Sequence, residues 1–352
     1  MSQNTLTSFV FGLLFFLSFI NLSEAQQEYK IGLVGFYNLE NLFDTLNQDD
    51  VKDEDFLPDG DYVWNTTKYY DKLANLDRVL TEMGANYSPD GLAVIGVSEV
   101  ENRSVLEDLI IQKGIKERDY QIVHEDSPDK RGIDVALLYQ PKYFSYEGHE
   151  AVRVPLVEKE LGSRPTRDVL HVWGKFDGDD MHFLVNHWPS RSGGEAASAP
   201  KRKLAAQVAR KIVDSIFQNN PMAKVILMGD LNDDPTSPSV KEVIGTHAKK
   251  RKVKAGEFYN PFEKYYKKGI GSNAWRDSWN LFDQMHLSYG LIDQRQQGYR
   301  HYKSVVFNTP YLISKTGNFK GYPFRTFAGS RYQGGFSDHL PVYSVFVKPT
   351  TR

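Results

Sequence analysis

Five short strings of the chain hold the side chains that hydrolysis uses. Asn38 and Glu40 follow the apolar run 31–37, Ser98 and Glu99 close the run 92–98, and His187 ends MHFLVNH. Asp230 and Asn232 end KVILMGDLND, and Ser337-Asp338-His339 precedes the run 342–347. A polar residue where an apolar run meets a loop is ordinary once. Five such coincidences, if the run ends share one edge, make a cleft with several carboxylates, two amides and two imidazoles. Carboxylate and amide oxygens are hard ligands, so in a chain with no Cys the metal choice tilts to Mg²⁺, with Mn²⁺ or Ca²⁺ as alternatives, over Zn²⁺. Hydrolysis of a phosphate ester needs a positioned water, a group for its proton and donors on the developing charge. Asp230, Asn232, His187 and His339 supply those types. The chemistry expected is metal-dependent phosphoester hydrolysis.

The elements that must position these residues are short. Period-2 or continuous apolar character predicts strands at 31–37, 92–98, 133–139, 169–176, 181–187, 225–228, 304–307 and 342–347. Leu73, Leu76, Leu80 and Met83 share one helical face, as do Leu204, Val208, Ile212 and Ile216. Many strands, few helices and no regular strand–helix alternation predict a mixed-sheet sandwich with outer helices, in one domain over 28–350.

Charge and composition bound the partners. With 43 Lys+Arg against 45 Asp+Glu, the formal charge is −2, so affinity for a polyanion must come from a local site. Zero Cys removes disulfides, thiolate metal sites and cysteine nucleophiles together. The uncharged stretch 9–22, followed by Ser23-Glu24-Ala25, predicts a signal peptide over 1–25 and an exported, periplasmic, cell-surface or extracellular protein. That stretch is shorter than the roughly 20 residues of a membrane-spanning helix, so no span is expected in the mature chain. Seven acids in 47–61 predict a solvated loop. Lys249 to Lys268 interleaves cations with aromatics. That is either a solvated face or a surface that tracks phosphates and stacks bases.

The strings FYNLENLF (36–43), VSEVEN (97–102), RGIDVALLY (131–139), NHWPSR (186–191), MGDLNDDP (228–235) and SDHLPV (337–342) resemble the successive motifs of the endonuclease/exonuclease/phosphatase superfamily, the deoxyribonuclease I-like fold. They stand in the family's order over nearly the whole mature chain, and most resemble those of secreted bacterial nucleases. The resemblance implies a four-layer α/β sandwich and a divalent metal. It gives Glu99 as principal ligand, with Asn38, Glu40 and Asp338 around the same ion, and Asp230 with Asn232 as the pair positioning water and scissile phosphate. It makes His187 and His339 bridge the phosphate, and it aligns FDQMHLS so that Asp283 orients His339, although Gln284 and Met285 depart from the family's usual residues there. By the same token Asp134 is expected to orient His187, and Arg167 and Arg191 to contact phosphate.

The implied function is a secreted, monomeric, metal-dependent phosphodiesterase, a nuclease acting on DNA or RNA. Alternatives are a phosphatase or sphingomyelinase-type lipid phosphodiesterase on the same fold, or a non-catalytic binding module. Against the last, Glu99, Asp230, Asn232, His187, Asp338 and His339 are all intact. A dinuclear metallophosphoesterase also carries a G-D-x-x-D element, but it needs a later Asn-His pair, and the one here, Asn186-His187, precedes GDLND.

Overall fold

A computed structural model describes residues 27–156, 165–293, 295 and 297–350. The expected signal peptide lies outside the described residues.

Two mixed sheets pack face to face. Strands β1 (Tyr29–Leu42), β2 (Val94–Val100), β3 (Gln121–His124), β4 (Asp134–Tyr139), β14 (Arg300–Val306) and β17 (Val342–Pro349) form a six-stranded sheet in the order β14-β17-β1-β2-β4-β3. A seven-stranded sheet runs β5-β6-β7-β8-β13-β10-β9, from β5 (Phe144–Val152), β6 (Val169–Phe176), β7 (Asp179–His187), β8 (Lys224–Asp230), β9 (Thr246–His247), β10 (Phe258–Tyr259) and β13 (Asp283–Ser288). Between the sheets lies an apolar layer that includes Phe36, Val94, Leu137, Phe183, Ile226 and Met228.

Helices close the outer faces. α1 (Thr66–Glu82) starts at Asn65, whose side chain accepts the Lys68 N–H, a favoured N-cap. It buries Tyr69, Leu73, Leu76 and Leu80 against the first sheet together with α2 (Arg103–Ile110). α3 (Glu195–Asn219) lays Ala205, Ala206, Ala209 and Val213 on the second sheet. Helix, sheet, sheet, helix is the four-layer α/β sandwich expected.

The pairing puts the chemistry at one edge. β1 and β2 run parallel, with Asn38 opposite Ser98. β7 and β8 run parallel, with His187 opposite Asp230, and β13 returns antiparallel to set Asp283 opposite Asp230. Parallel neighbours deliver their C-terminal residues to the same end. Gly229 fits because a Cβ there would stand 2.1 Å from the Asn186 carbonyl oxygen, so the first residue of GDLND is fixed by the close approach of β7.

The strands beyond the apolar pattern are β3, β5, an edge strand with mostly exposed side chains, the two-residue β9 and β10, β13, and two small hairpins, β11 (Asn273–Trp275) with β12 (Ser278–Asn280) and β15 (Phe327–Ala328) with β16 (Arg331–Tyr332). The acidic loop 47–61 is not wholly solvated, since Phe56 stacks on Phe43 at 4.3 Å and Asp53 is buried. No helix among the described residues is long and apolar enough to cross a membrane.

Candidate active site

The floor of the cleft is built by kinked strand ends. Past Asn38 and Ser98 the ladder register shifts, and Glu40, Asn41, Glu99 and Asn232 take left-handed φ values of 51°, 51°, 60° and 48°. Such backbone costs roughly 1–3 kcal/mol per residue outside glycine and gathers where function over-determines it. The kinks turn carboxylates inward. Asn38 Nδ2 donates to Glu99 Oε1 and to Asp230 Oδ2, both at 3.1 Å, tying the two sheets together across the cleft. The Asn41 N–H donates to Glu99 Oε2 at 3.0 Å, and the Asn232 N–H to Asp230 Oδ1 at 2.9 Å.

Two imidazoles flank this floor differently. His187 Nε2 stands 3.7 Å from Glu99 Oε1 and 3.5 Å from Asp230 Oδ2. His339 Nδ1 donates to Asp283 Oδ2 at 2.6 Å, leaving Nε2 3.8 Å from Asp230 Oδ2 and 3.9 Å from Asp338 Oδ1. Burial, with Arg167, Arg131 and His339 nearby, holds His187 well below the ordinary histidine range, so it is neutral. Burial also opposes charge on His339, but Asp283 and Asp230 outweigh it and hold His339 protonated well above that range. Asp230 is pushed up to about 7, chiefly by burial, with Asp283 and Glu99 adding and His339 opposing. One cationic and one neutral imidazole across a carboxylate of near-neutral pKa make a site that can both give and take a proton at neutral pH.

The expected ligands do not all converge. Glu99, Asp230 and His187 each offer one atom within 4.8 Å of the others, and two carboxylates in that triad suit a hard cation. Asn38 presents its amide nitrogen there, while its oxygen accepts the Glu40 N–H at 2.9 Å. Two carboxylates facing one amide select its N–H edge, so Asn38 stands as a brace. Glu40 turns aside: Oε2 accepts the Thr326 N–H at 2.6 Å and lies 3.8 Å from Lys72 Nζ. Burial and Asp338 lift Glu40 to about 7, with Lys72 opposing. Asp338 Oδ2 lies 3.7 Å from Arg325.

One expectation needs correction. Asp134 does not orient His187: its oxygens take the Ser127 N–H at 2.8 Å and pair with His124 Nε2 at 3.1 Å. Asp134 begins β4, beside β3 and His124 in the first sheet, whereas His187 belongs to the second. His187 Nδ1 is buried without a hydrogen-bond partner among the described residues. Arg167 lines the cleft but acts mainly as a brace, donating to the His187 and Trp188 carbonyls at 3.1 and 2.6 Å and to Asp129 at 3.1 Å. Its side chain is 5% exposed, and two of its three hydrogen bonds serve the backbone of the His187 loop.

Arg191 stands in the cleft wall, donating to the Asn232 carbonyl at 2.9 Å and Asp234 at 3.0 Å with its face on Phe282. Arg131, Arg276, Arg325 and Trp275 complete the rim of a cleft of about 820 Å³. None of these four was singled out by sequence. Nor was Lys72, fully buried and donating to Thr326 Oγ1 and the Phe336 carbonyl, both at 2.6 Å. The signal for Lys72 was its spacing, three residues after Tyr69 and four before Leu76 on the buried helical face; that for Arg131 was its place in RGIDVALLY. The basic segment 249–268 contributes no residue to the cleft; Tyr259 and Phe262 lie in the core and Lys250 Nζ donates to the His301 carbonyl at 2.9 Å.

A four-layer sandwich with a carboxylate and imidazole cleft at its strand ends defines a phosphoester hydrolase of the deoxyribonuclease I-like class. The endonuclease/exonuclease/phosphatase family model matches residues 33–348, and the chain belongs to that family of metal-dependent phosphoric ester hydrolases. Solved structures share its fold at low identity. TDP2 of D. rerio complexed with a single-strand DNA product is 16% identical, with 90% of this chain and 98% of that chain covered and a TM-score of 0.51. The mannosyl-6-phosphatase of Bacteroides thetaiotaomicron is 14% identical (90% and 99% covered, TM-score 0.52). The human Nocturnin catalytic domain with bound sulfate is also 14% identical (91% and 97% covered, TM-score 0.53). No curated protein sequence matches the chain.

Proposed function

We propose that this chain is an exported phosphodiesterase that hydrolyses a polynucleotide. The observation that carries the reading is a carboxylate floor, Glu99 and Asp230, under a rim of Arg131, Arg191, Arg276 and Arg325 with the 62%-exposed Trp275 among them. Cations interleaved with an aromatic ring are what a nucleic-acid strand engages. The single-strand DNA product bound by the D. rerio relative supports the same substrate class. Export rests on the uncharged stretch 9–22.

In this reading Glu99, with Asp230 beside it, would hold a divalent cation, Mg²⁺ first. Asn38, Glu40 and Asp338 shape the same pocket. The cation would neutralise a non-bridging phosphate oxygen. Asp230, fixed by the Asn232 and Asn38 N–H groups, accepts the proton of the attacking water, and Asn232 sits beside it to orient the phosphate. His339, charged and fixed by Asp283, donates to the phosphate as charge develops. His187 contacts the phosphate as a neutral donor through Nε2–H, while Arg191 and Arg167 hold the loops that carry Asn232 and His187.

A phosphomonoesterase acting on a phosphorylated sugar is the second reading, favoured by the mannosyl-6-phosphatase neighbour. The test incubates the purified protein with Mg²⁺, Mn²⁺ or Ca²⁺ and, in parallel, plasmid DNA, single-stranded DNA, RNA, sphingomyelin and mannose 6-phosphate. Cleavage of a nucleic acid supports the proposal. Turnover of the sugar phosphate or lipid alone overturns it.

A further inference from the structure

Beside the catalytic cleft lies a second cavity of about 730 Å³. Its described lining carries four cations, Arg78, Lys315, Arg325 and Arg331, and no carboxylate, in a chain whose overall charge is −2. Arg325 lines both spaces. Its guanidinium lies 5.0 Å over the Phe319 ring, its Nε is buried without a hydrogen-bond partner among the described residues, and its side chain is 17% exposed. Arg78 lies 3.8 Å over the Tyr311 ring. Lys315 and Arg331 make no ion pair among the described residues and are exposed. Arg78 already donates to Glu82 at 3.2 Å and Arg325 lies 3.7 Å from Asp338, so Lys315 and Arg331 are the cations left to draw an anion into the hollow. Guanidinium groups held over aromatic rings and the rings beside them offer faces on which a base can stack.

The geometry points to a nucleotide subsite: the cavity takes the phosphate and base of a residue flanking the scissile bond, and Arg325 hands the strand from one space to the other. This rests on the reading of the cleft as a polynucleotide phosphodiesterase. A free nucleotide offers the same chemistry, so the test separates the two sources.

The test compares wild type with Lys315→Glu/Arg331→Glu, both changes at exposed positions outside the catalytic floor. Substrates are bis-p-nitrophenyl phosphate, too small to reach the cavity, and a single-stranded oligonucleotide of about a dozen nucleotides. The double variant should keep the small diester's kcat/KM within about twofold and raise the oligonucleotide KM about tenfold with kcat little changed. An unchanged oligonucleotide KM, or equal losses on both substrates, overturns the subsite. Free AMP should inhibit oligonucleotide cleavage by wild type and leave small-diester turnover alone. If AMP alters diester turnover in wild type and not in the variant, the cavity is an effector site and the strand subsite is overturned. If wild type cleaves no oligonucleotide, the nuclease reading fails, and calorimetry with AMP in EDTA still reads the cavity. Binding lost in the double variant then upholds a nucleotide site; binding retained, or none in wild type, overturns it.

Discussion

His339 and Asp283 meet through a 2.6 Å hydrogen bond between two buried side chains, one from the loop before β17 and the other from the first residue of β13. The contact joins the two sheets at the cleft. It also fixes which imidazole nitrogen faces the floor: Nδ1 is committed to Asp283, so Nε2 points toward Asp230 and Asp338.

Removing this orientation should cost activity through His339 alone. His339→Ala should lower kcat by about 10²–10⁴, the usual worth of a positioned acid or base, and Asp283→Asn by a substantial part of that. The double variant should be scarcely worse than His339→Ala, because the two act as a unit. Multiplying losses in steady-state kinetics would show that Asp283 acts elsewhere.

The buried ammonium of Lys72 is predicted to be structural. It neutralises Glu40 and holds Thr326 and the Phe336 carbonyl, tying α1 to the loop that leads into Asp338. Lys72→Met leaves Glu40 buried without its cation, which should destabilise the fold by about 3–5 kcal/mol in urea unfolding. A change below about 1 kcal/mol would place little weight on the pair.

Salt dependence should locate the phosphate contacts on the rim. Each duplex phosphate neutralised contributes a slope of about −0.9 in log K against log salt. Arg131→Gln with Arg276→Gln should make the slope shallower by about 1 to 2. Lys249→Glu with Lys252→Glu, at the far edge of the second sheet, should leave it unchanged. The opposite pattern would return the polyanion surface to the segment 249–268.

Acid should unfold this protein through its buried histidines. Burial holds His286 down to about 3, below its unfolded value near 6.5. The stability it contributes is therefore complete above about pH 6.5 and is lost as pH falls from there toward 3. Between pH 7 and 5 the loss approaches about 2 kcal/mol, at 1.36 kcal/mol per pH unit below 6.5. Tm measured across that range should fall less steeply in His286→Gln than in wild type. Parallel curves would contradict the assignment.

Much of this architecture was legible because its signals are local. Residues 31–37, 169–176 and 181–187 are predominantly apolar, continuous or alternating, and each lies within a strand. The hinge polar residues Asn38, Glu99, His187 and Asp230 stood out because each ends such a run. β13 reads Asp-Gln-Met-His-Leu-Ser yet is buried at every position. It is held by a polar network in which Gln284 Nε2 donates to the Asp233 and Leu281 carbonyls and its Oε1 accepts from Asn260, which no apolar period announces. The same network explains the departure at Gln284. The partner of Asp134 is not the one the resemblance implies, because a motif does not specify that this carboxylate lies beside His124 in the first sheet while His187 ends a strand of the second. Arg325 and Lys72 depend on a contact between α1 and residues some 250 positions later, beyond any local pattern.

The central claim is that a cation held at Glu99 and Asp230 drives phosphodiester cleavage in this cleft. Its most direct test is the rate of oligonucleotide cleavage with Mg²⁺ and with excess EDTA, for wild type and Glu99→Gln, with circular dichroism confirming that the variant is folded. Chelation should abolish wild-type turnover and Mg²⁺ should restore it, while Glu99→Gln should be slower by at least about 10² at saturating Mg²⁺. Undiminished cleavage in EDTA, or a fully active Glu99→Gln enzyme, would contradict the account.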